Sequence, residues 1–282
     1  MAKGQTWPQC ALIAFFVVAA AFGAVASIAA QDTNAMNRND AYAREIEHHI
    51  LDLTNAERAR RSLPPLVLHA KLEDAARRHS GAMSSQRFFA HIDPRGRNPS
   101  DRVFDLYPEL IGGIGENIAL NHGDSALRTA ENIMIAWMNS AGHRRNILSA
   151  EYTYIGIGVV AEASGPRYYA TQKFGNLIAE LTGRAPDSVA VGTEVLLRFV
   201  YLGPAQNRDS LSVFVSLPDP RARFELGGGR YMIGAGLLEP RWTRNTEFSI
   251  RIPTNSGTGR YTVRMGYNNS FVDSPGITVI AR

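Results

Sequence analysis

Residues 137–148 read WMNSAGHRRNIL, and this stretch decides how the rest of the chain is interpreted. It ends an apolar helical pattern and then places His143 among small and polar residues. Two similar stretches precede it, FFAH ending at His91 and GENI containing Glu116. Segments built only for packing have little need of imidazole and carboxylate groups beside alanine and glycine. We therefore take these two histidines and this glutamate as the candidate site residues.

The segments around these motifs predict alternating helices and strands. Apolar residues at three- and four-residue spacing indicate helices, which we place at residues 42–61, 68–85, 100–106 and 125–139. Ser100 is the expected N-cap of the third helix. Residues 155–161 and 167–174 predict a β-hairpin joined by the turn residues 164–166. Helices flanking such strands predict a layered α–β–α domain, for which we expect the bounds 42–180.

A change of composition marks the end of this domain. Residues 181–190 contain Gly, Pro and polar side chains, which predict a linker. Residues 191–282 contain six or seven short alternating segments, which predict an antiparallel β-sandwich. Within it, the run from Gly259 to Val263 resembles the tyrosine-corner strand of immunoglobulin-like domains. The predicted fold class is therefore α+β, an α–β–α sandwich followed by an immunoglobulin-like β-sandwich.

The first 30 residues predict a secretory signal peptide. Lys3 is followed by an apolar run at residues 11–21 and by small residues suited to cleavage. A retained membrane anchor is the alternative, since residues 11–30 are long enough to span a bilayer. Residues 31–41 are polar and predict a disordered leader. We expect a secreted, periplasmic or cell-envelope protein.

Cysteine content and charge limit the chemistry further. The only cysteine, Cys10, would leave with the signal peptide, so the mature chain would have no disulfide and no thiolate ligand. The net charge of +4 is small, and we expect no nucleic-acid partner. Residues 184–282 carry 12 Arg against 8 acids. This excess would favour an anionic envelope polymer or lipid headgroup, although a solvated surface is the simpler interpretation.

Six motifs in order give the chain a resemblance to the CAP superfamily, the cysteine-rich secretory, antigen 5 and pathogenesis-related 1 proteins, also called SCP-like. The match is to the bacterial, cysteine-free branch. The motifs are Asn55 with Arg58, FAH ending at His91, GENI at residues 115–118, the stretch at 137–148, IGIG at residues 155–158 and TQKFG at residues 171–175. The resemblance covers about half of the chain, residues 46–175, and implies an α–β–α sandwich with a cleft across one face.

The resemblance also implies which residues line that cleft. CAP clefts hold two histidines and two acids, and some members bind a divalent metal there. By position this chain supplies His91, Glu116 and His143, with Asn117 beside them. Ser140 occupies the position of the second acid. A mechanism that needs two carboxylates is therefore weakened.

Two interpretations of the three remaining groups stay open. Two imidazoles and one carboxylate are the protein ligands of several open zinc sites, and zinc is the cofactor that His91, Glu116 and His143 would hold as metal ligands. Alternatively, they form a polar hydrogen-bond network that fixes the cleft loops. Ser140 lacks the strand–turn–helix context of a serine nucleophile, and we expect it to hydrogen bond at a helix end.

Three functions follow from these interpretations. The first is non-enzymatic binding of a small apolar, peptide or lipid ligand, or of an envelope component, in the cleft. The second is a divalent-metal-dependent hydrolase that uses the same cleft. The third is an extracellular scaffold whose β-sandwich contacts an envelope protein or polymer. We expect binding rather than catalysis.

Overall fold

The computed structural model describes residues 39–162, 165–272 and 274–282. The predicted signal peptide, most of the predicted leader and Ser164 of the predicted turn lie outside these ranges. No helix of the described part is long and apolar enough to cross a membrane. The helices are α1 at residues 39–59, α2 at Ala70–Gln86, α3 at Pro99–Leu106, α4 at Ala126–Asn139 and α5 at Ala141–Ile147.

Four strands accompany these helices in the N-terminal half. They are β1 at Val67–Leu68, β2 at Leu110–Asn121, β3 at Tyr154–Ala161 and β4 at Tyr168–Leu181. The predicted hairpin is formed by β3 and β4, which are antiparallel. Strand β4 also pairs along its other edge with β2 over twelve residue pairs, and β1 runs parallel to β3.

Three boundaries differ from the sequence prediction. Residues 39–41, expected in the leader, are helical. The N-cap of α3 is Asn98 and not Ser100, because Pro99 occupies the first helical position and the Asn98 side chain accepts from two backbone N–H groups. Strand β4 continues to Leu181, seven residues beyond the predicted end.

The sheet lies between two layers of helices, as predicted. One face packs against α1 and α4 through a core that includes Ile50, Ile133, Trp137 and Ile157. The opposite face packs against α2 and α3 through a smaller core that includes Leu72, Val103 and Leu177. Residues of β3 alternate between these cores, as the pleat of a strand requires. The α–β–α architecture is therefore confirmed.

Glycines of β3 bring the strand against the backbone of α2. An added Cβ at Gly156 would overlap backbone atoms of Leu72 and Glu73, and one at Gly158 would overlap those of Ala76 and Arg77. The two glycines of the IGIG motif are therefore needed because a side chain at either position would prevent the close packing of β3 against α2.

The C-terminal half consists of ten strands in the described residues and one short 3-10 helix at Ala205–Ser210. The strands are β5 at Glu194–Tyr201, β6 at Leu211–Ser216, β7 at Arg223–Gly227, β8 at Arg230–Ile233, β9 at Ala235–Leu238, β10 at Arg241–Trp242, β11 at Glu247–Pro253, β12 at Gly259–Tyr267, β13 at Ser270–Phe271 and β14 at Ile277–Ala281. Their inward residues, among them Phe199, Val213, Ile250 and Val263, form one core between two sheets.

One feature of the tyrosine corner is present. The Tyr261 hydroxyl donates to the carbonyl oxygen of Gly257 at 2.9 Å and accepts from the Ser256 N–H at 2.9 Å. A hydrogen bond from a strand tyrosine back to the preceding corner is the geometry for which that motif is named.

The two halves share one sheet and part of one core. The end of β4 pairs with β5 through Ala179, Glu180 and Leu181, so a single seven-stranded sheet crosses both halves. Ile178 and Leu181 belong to the C-terminal core cluster. The predicted linker is also held, since Val189 N–H donates to the carbonyl oxygen of Ile280 at 2.9 Å.

We expect Gly158→Ala to destabilise the protein by about 3 kcal/mol, because α2 and β3 would have to separate along their backbones. Urea unfolding followed by circular dichroism measures the change. Gly81→Ala is the matched control: Gly81 lies inside α2 with no atom near the position of an added Cβ. That change should stabilise the helix by up to ~1 kcal/mol. Equal stability of the two variants would contradict the close approach.

Candidate functional site

The site is built around Glu116, whose side chain is only 1% exposed. One carboxylate oxygen accepts from Arg102 at 2.7 Å and faces the Lys173 ammonium group at 2.7 Å. The other accepts from His91 Nδ1 at 2.8 Å. Both oxygens are therefore occupied by side chains of the chain itself.

Each partner reaches Glu116 from a different element. Glu116 on β2 and Lys173 on β4 are direct cross-strand neighbours, which places their side chains on the same face. Arg102 extends from α3 and also donates to the carbonyl oxygen of His91 at 2.6 Å and to that of Arg97 at 2.9 Å. Arg102 thus ties the loop that carries His91 to the buried carboxylate.

The charges around Glu116 keep it ionised. Burial alone would raise its pKa, but the hydrogen bond from His91 and the charges of Lys173 and Arg102 lower the pKa of Glu116 to about 2. Burial lowers the pKa of Lys173 to about 8 while Glu116 opposes that shift, so the ammonium group stays protonated at neutral pH. The pair is therefore a buried ion pair at physiological pH.

His79 on α2 completes the buried side of the cluster. Its Nε2 lies 3.8 Å from the carboxylate of Glu116, and among the described residues neither ring nitrogen has a hydrogen-bond partner. Burial lowers the pKa of His79 to about 4, so the ring is neutral at physiological pH.

The two predicted site histidines face each other across the outer side of the cluster. The ring centroids of His91 and His143 are 6.4 Å apart. The His91 side chain is 46% exposed, although its Nδ1 holds Glu116. An ionised carboxylate only accepts, so Nδ1 must donate, and a neutral His91 keeps Nε2 as an acceptor. Burial and the neighbouring His91 lower the pKa of His143.

Asn117 ties the segment of His143 to the sheet. Its side-chain amide donates to the carbonyl oxygen of His143 at 3.1 Å and to the Gln172 side chain at 3.1 Å. Asn146 on α5 donates to the Asn117 side chain at 2.9 Å and to the carbonyl oxygen of Glu116 at 3.1 Å. These hydrogen bonds connect β2 to α5 and to β4, and all but one of them involve the Asn117 side chain.

Ser140 takes no side-chain part in this network. It is the C-cap of α4 and the N-cap of α5, where its side chain makes no capping hydrogen bond. Its backbone carries the turn instead: the N–H donates to Trp137 at 3.2 Å and the carbonyl oxygen accepts from Arg144 at 2.9 Å. The expected role at a helix end is therefore played by the main chain.

The predicted metal-ligand set is not formed. Within the described residues, no group of three His, Cys, Asp or Glu side chains is placed to hold a metal ion. His91 and His143 do lie close together, but Glu116 already uses both oxygens on Arg102, Lys173 and His91. A zinc ion on Oε2 would have to displace Arg102 and Lys173, and one on Oε1 would have to replace the hydrogen bond from His91. These residues, as they are arranged around a carboxylate that is 1% exposed, do not fit the group.

Sequence reasoning missed the two cations of the site. Lys173 stands inside the TQKFG motif, yet its side chain is 0% exposed. A lysine in the middle of a largely apolar strand is a signal for a buried acid nearby. Arg102 offers less, since it lies in a short helix beside two acids. The contact of Arg102 with Glu116 arises from the packing of α3 against β2, which the sequence pattern does not indicate.

Two apolar side chains flank the exposed histidine. Phe89 is 50% exposed and Ile92 is 52% exposed, and the Phe89 ring lies 6.4 Å from that of Tyr169. The loop that carries His91 therefore also carries two largely uncovered apolar side chains.

Comparison with known proteins agrees with this geometry. Residues 51–174 match the family model of the cysteine-rich secretory protein family, CAP. Residues 51–174 therefore form a domain of the CAP type, as the motifs indicate.

Relatives of this domain occur in bacilli. The chain is 35% identical over 135 residues to the uncharacterized protein YkwD of Bacillus subtilis (strain 168), which covers 48% of this chain and 50% of YkwD. It is 33% identical over 128 residues to the uncharacterized membrane protein YlbC of the same organism, 45% of this chain and 34% of YlbC. The chain thus spans half of the first relative and about a third of the second.

A solved structure is also similar. It is that of an extracellular protein containing a SCP domain from Bacillus anthracis strain Ames, at 30% identity and a TM-score of 0.41. The similarity covers 47% of this chain and 41% of that chain.

We expect Glu116→Gln to destabilise the protein by about 3 kcal/mol at pH 7, because Arg102 and Lys173 would lose their buried counter-charge. The pKa of Glu116 is about 2 when folded, against 4.5 for a free glutamate. Its contribution is therefore complete above about pH 4.5 and is lost as the pH falls toward 2. Urea unfolding at pH 7 and pH 3 should show the gap between wild type and variant closing at the lower pH.

Glu194→Gln is the control for this change. Glu194 pairs with Arg251 while 54% exposed, so its loss should cost under ~1 kcal/mol at either pH. A gap for Glu116→Gln that stays constant between pH 7 and pH 3 would contradict the depressed pKa.

Proposed function

We propose that the CAP domain is a non-enzymatic binding module whose ligand sits on the face formed by His91 and His143. The observation that carries this proposal is the state of Glu116. It is the only carboxylate of the predicted site, and it is buried and neutralised by Arg102 and Lys173. A carboxylate with a pKa of about 2 and no free oxygen is a poor general base at neutral pH.

The side chains that remain exposed near the site are suited to binding a ligand. His91 is held at Nδ1 by Glu116 and at its carbonyl oxygen by Arg102, so its ring is oriented before a ligand arrives. A group fixed in advance loses little entropy on binding. Phe89 and Ile92 beside it supply apolar contact area.

The ligand class follows from this combination. It has a hydrogen-bonding group for the imidazoles and an adjacent apolar portion for Phe89 and Ile92. A lipid, an apolar peptide or a peptide-bearing envelope fragment meets this description. The signal-peptide pattern of residues 1–30 supports an encounter outside the cytoplasm.

The metal-dependent hydrolase is the function that this geometry supports less. It needs His91, Glu116 and His143 as ligands of one ion, with water in the fourth position. The two cations on Glu116 stand against that arrangement.

We expect a ligand of the proposed class to perturb the ring resonances of His91 and His143 in ¹⁵N-histidine NMR. The probes are lauric acid, a synthetic apolar pentapeptide and soluble muropeptides. Phe89→Ala should weaken binding of the responding probe about tenfold, because an exposed ring that the ligand covers is lost. Phe271→Ala is the control, since Phe271 is 54% exposed in the C-terminal half. If none of the probes moves either histidine, the proposed site is wrong.

We expect zinc calorimetry to detect no binding that depends on all three predicted ligands. Weak binding at His91 and His143 alone would be lost in His143→Ala and retained in Glu116→Gln. The contrary result would be tight zinc binding that is abolished in each of three variants, His91→Ala, Glu116→Gln and His143→Ala. That result would support the predicted metal site and the hydrolase hypothesis. His48→Ala, on the exposed face of α1, controls for adventitious imidazole binding.

A further inference from the structure

The outer face of the shared sheet carries a row of polar residues that crosses four segments. Arg241 on β10 lies opposite Ser249 on β11, and Ser249 lies opposite Arg198 on β5. Thr182, which follows β4, donates its N–H to the carbonyl oxygen of Arg198 at 2.8 Å. Directly opposed residues share a face of the sheet, so these side chains form one line across the strands.

The line lies in a shallow groove. The groove has a volume of about 430 Å³, and its lining includes Arg198, Arg241, Arg251 and Thr182. Arg198 and Arg241 are both exposed. The inward neighbours Phe199 and Phe248 are buried and stack at 5.3 Å, so the face rests on a packed core.

The arginines of this groove differ in whether they form an ion pair. Arg251 pairs with Glu194 on the same face. Arg198 and Arg241 form no ion pair with any acid of the described chain, and two strand spacings put their Cα atoms about 10 Å apart. Glu247 also lines the groove, but its carboxylate pairs with Arg244. Arg198 and Arg241 thus remain as two guanidinium groups without an ion-pair partner, with Ser249 between them, and they favour an anionic occupant.

We propose that this groove binds a linear envelope polymer with a phosphodiester backbone, of the poly(glycerol phosphate) type. A guanidinium fork matches phosphate oxygens in bidentate fashion, and two forks on one line can hold successive phosphates of one chain. A bilayer surface fits less well, because membrane contact needs protruding apolar side chains. Of the described residues that line the groove, Val200 is the only large apolar side chain counted as exposed, at 37%.

The experiment uses the full chain and fluorescently labelled poly(glycerol phosphate), with binding followed by anisotropy at low and at physiological salt. The double variant Arg198→Gln/Arg241→Gln should weaken binding at least about tenfold and should lower the dependence of affinity on salt. The matched control is Arg221→Gln/Arg230→Gln, which removes the same charge at exposed positions near β7 and β8. Thermal unfolding confirms that both variants remain folded.

Each result decides the matter. A loss confined to the groove variant supports the proposal. No binding by the wild type, or equal losses in both double variants, overturns it. Binding to phosphatidylglycerol vesicles without binding to the polymer also overturns it and identifies a membrane contact. None of these outcomes depends on His91 or His143, so the cleft proposal stands or falls separately.

Discussion

The buried charge of Glu116 is the constraint on which the CAP half of this protein depends. A carboxylate at 1% exposure is tolerated only where its oxygens have charged or hydrogen-bonding partners. Here the partners come from α3, from β4 and from the loop after α2. The ion cluster therefore makes three segments that are distant in sequence converge, and it selects one arrangement of them.

The same requirement organises the neutral polar groups around the cluster. Gln172 is fully buried and donates to the Thr54 hydroxyl at 2.7 Å, which extends the Asn117 network to α1. Arg58, also buried, donates to the carbonyl oxygens of Ile147 and Ser149 at 2.9 and 2.7 Å. It thus holds the turn after α5. His143 is accordingly placed from both ends of its helix, and its position needs no ligand or metal to define it.

The parts of the structure that were predictable are those with a local cause. Apolar spacing indicates α2 and α4, and alternation indicates β11 and β12, because these patterns record burial on one side of each element. The extension of β4 to Leu181 was not predictable, since its last residues are fixed by pairing with β5 and by the C-terminal core. The N-cap at Asn98 could have been found from the Pro at the next position.

The site shows the same division more sharply. The motifs locate His91, Glu116, Asn117 and His143 correctly as neighbours, because the family resemblance carries their fold with it. The spacing of the motifs could not predict the chemical role of Glu116. The sequence predicts Glu116 as a metal ligand, whereas in the structure it pairs with Arg102 and Lys173. These two partners lie 14 and 57 residues away from Glu116 in sequence. Such pairings depend on strand register and helix placement, which no local pattern encodes.

Strand β4 connects this site to the C-terminal half in a way that constrains function. Lys173 on β4 faces the ion cluster, and Leu181 at its end is part of the other core. Separating the halves would expose Ile178 and Leu181, each costing about 1.5 to 3 kcal/mol, and would break the β4–β5 pairing. His91 and the groove that contains Arg198 and Arg241 are therefore held at a fixed spacing by one continuous sheet. A target that presents a ligand for each would gain effective concentration from this rigidity, whereas a flexible linker would dilute it.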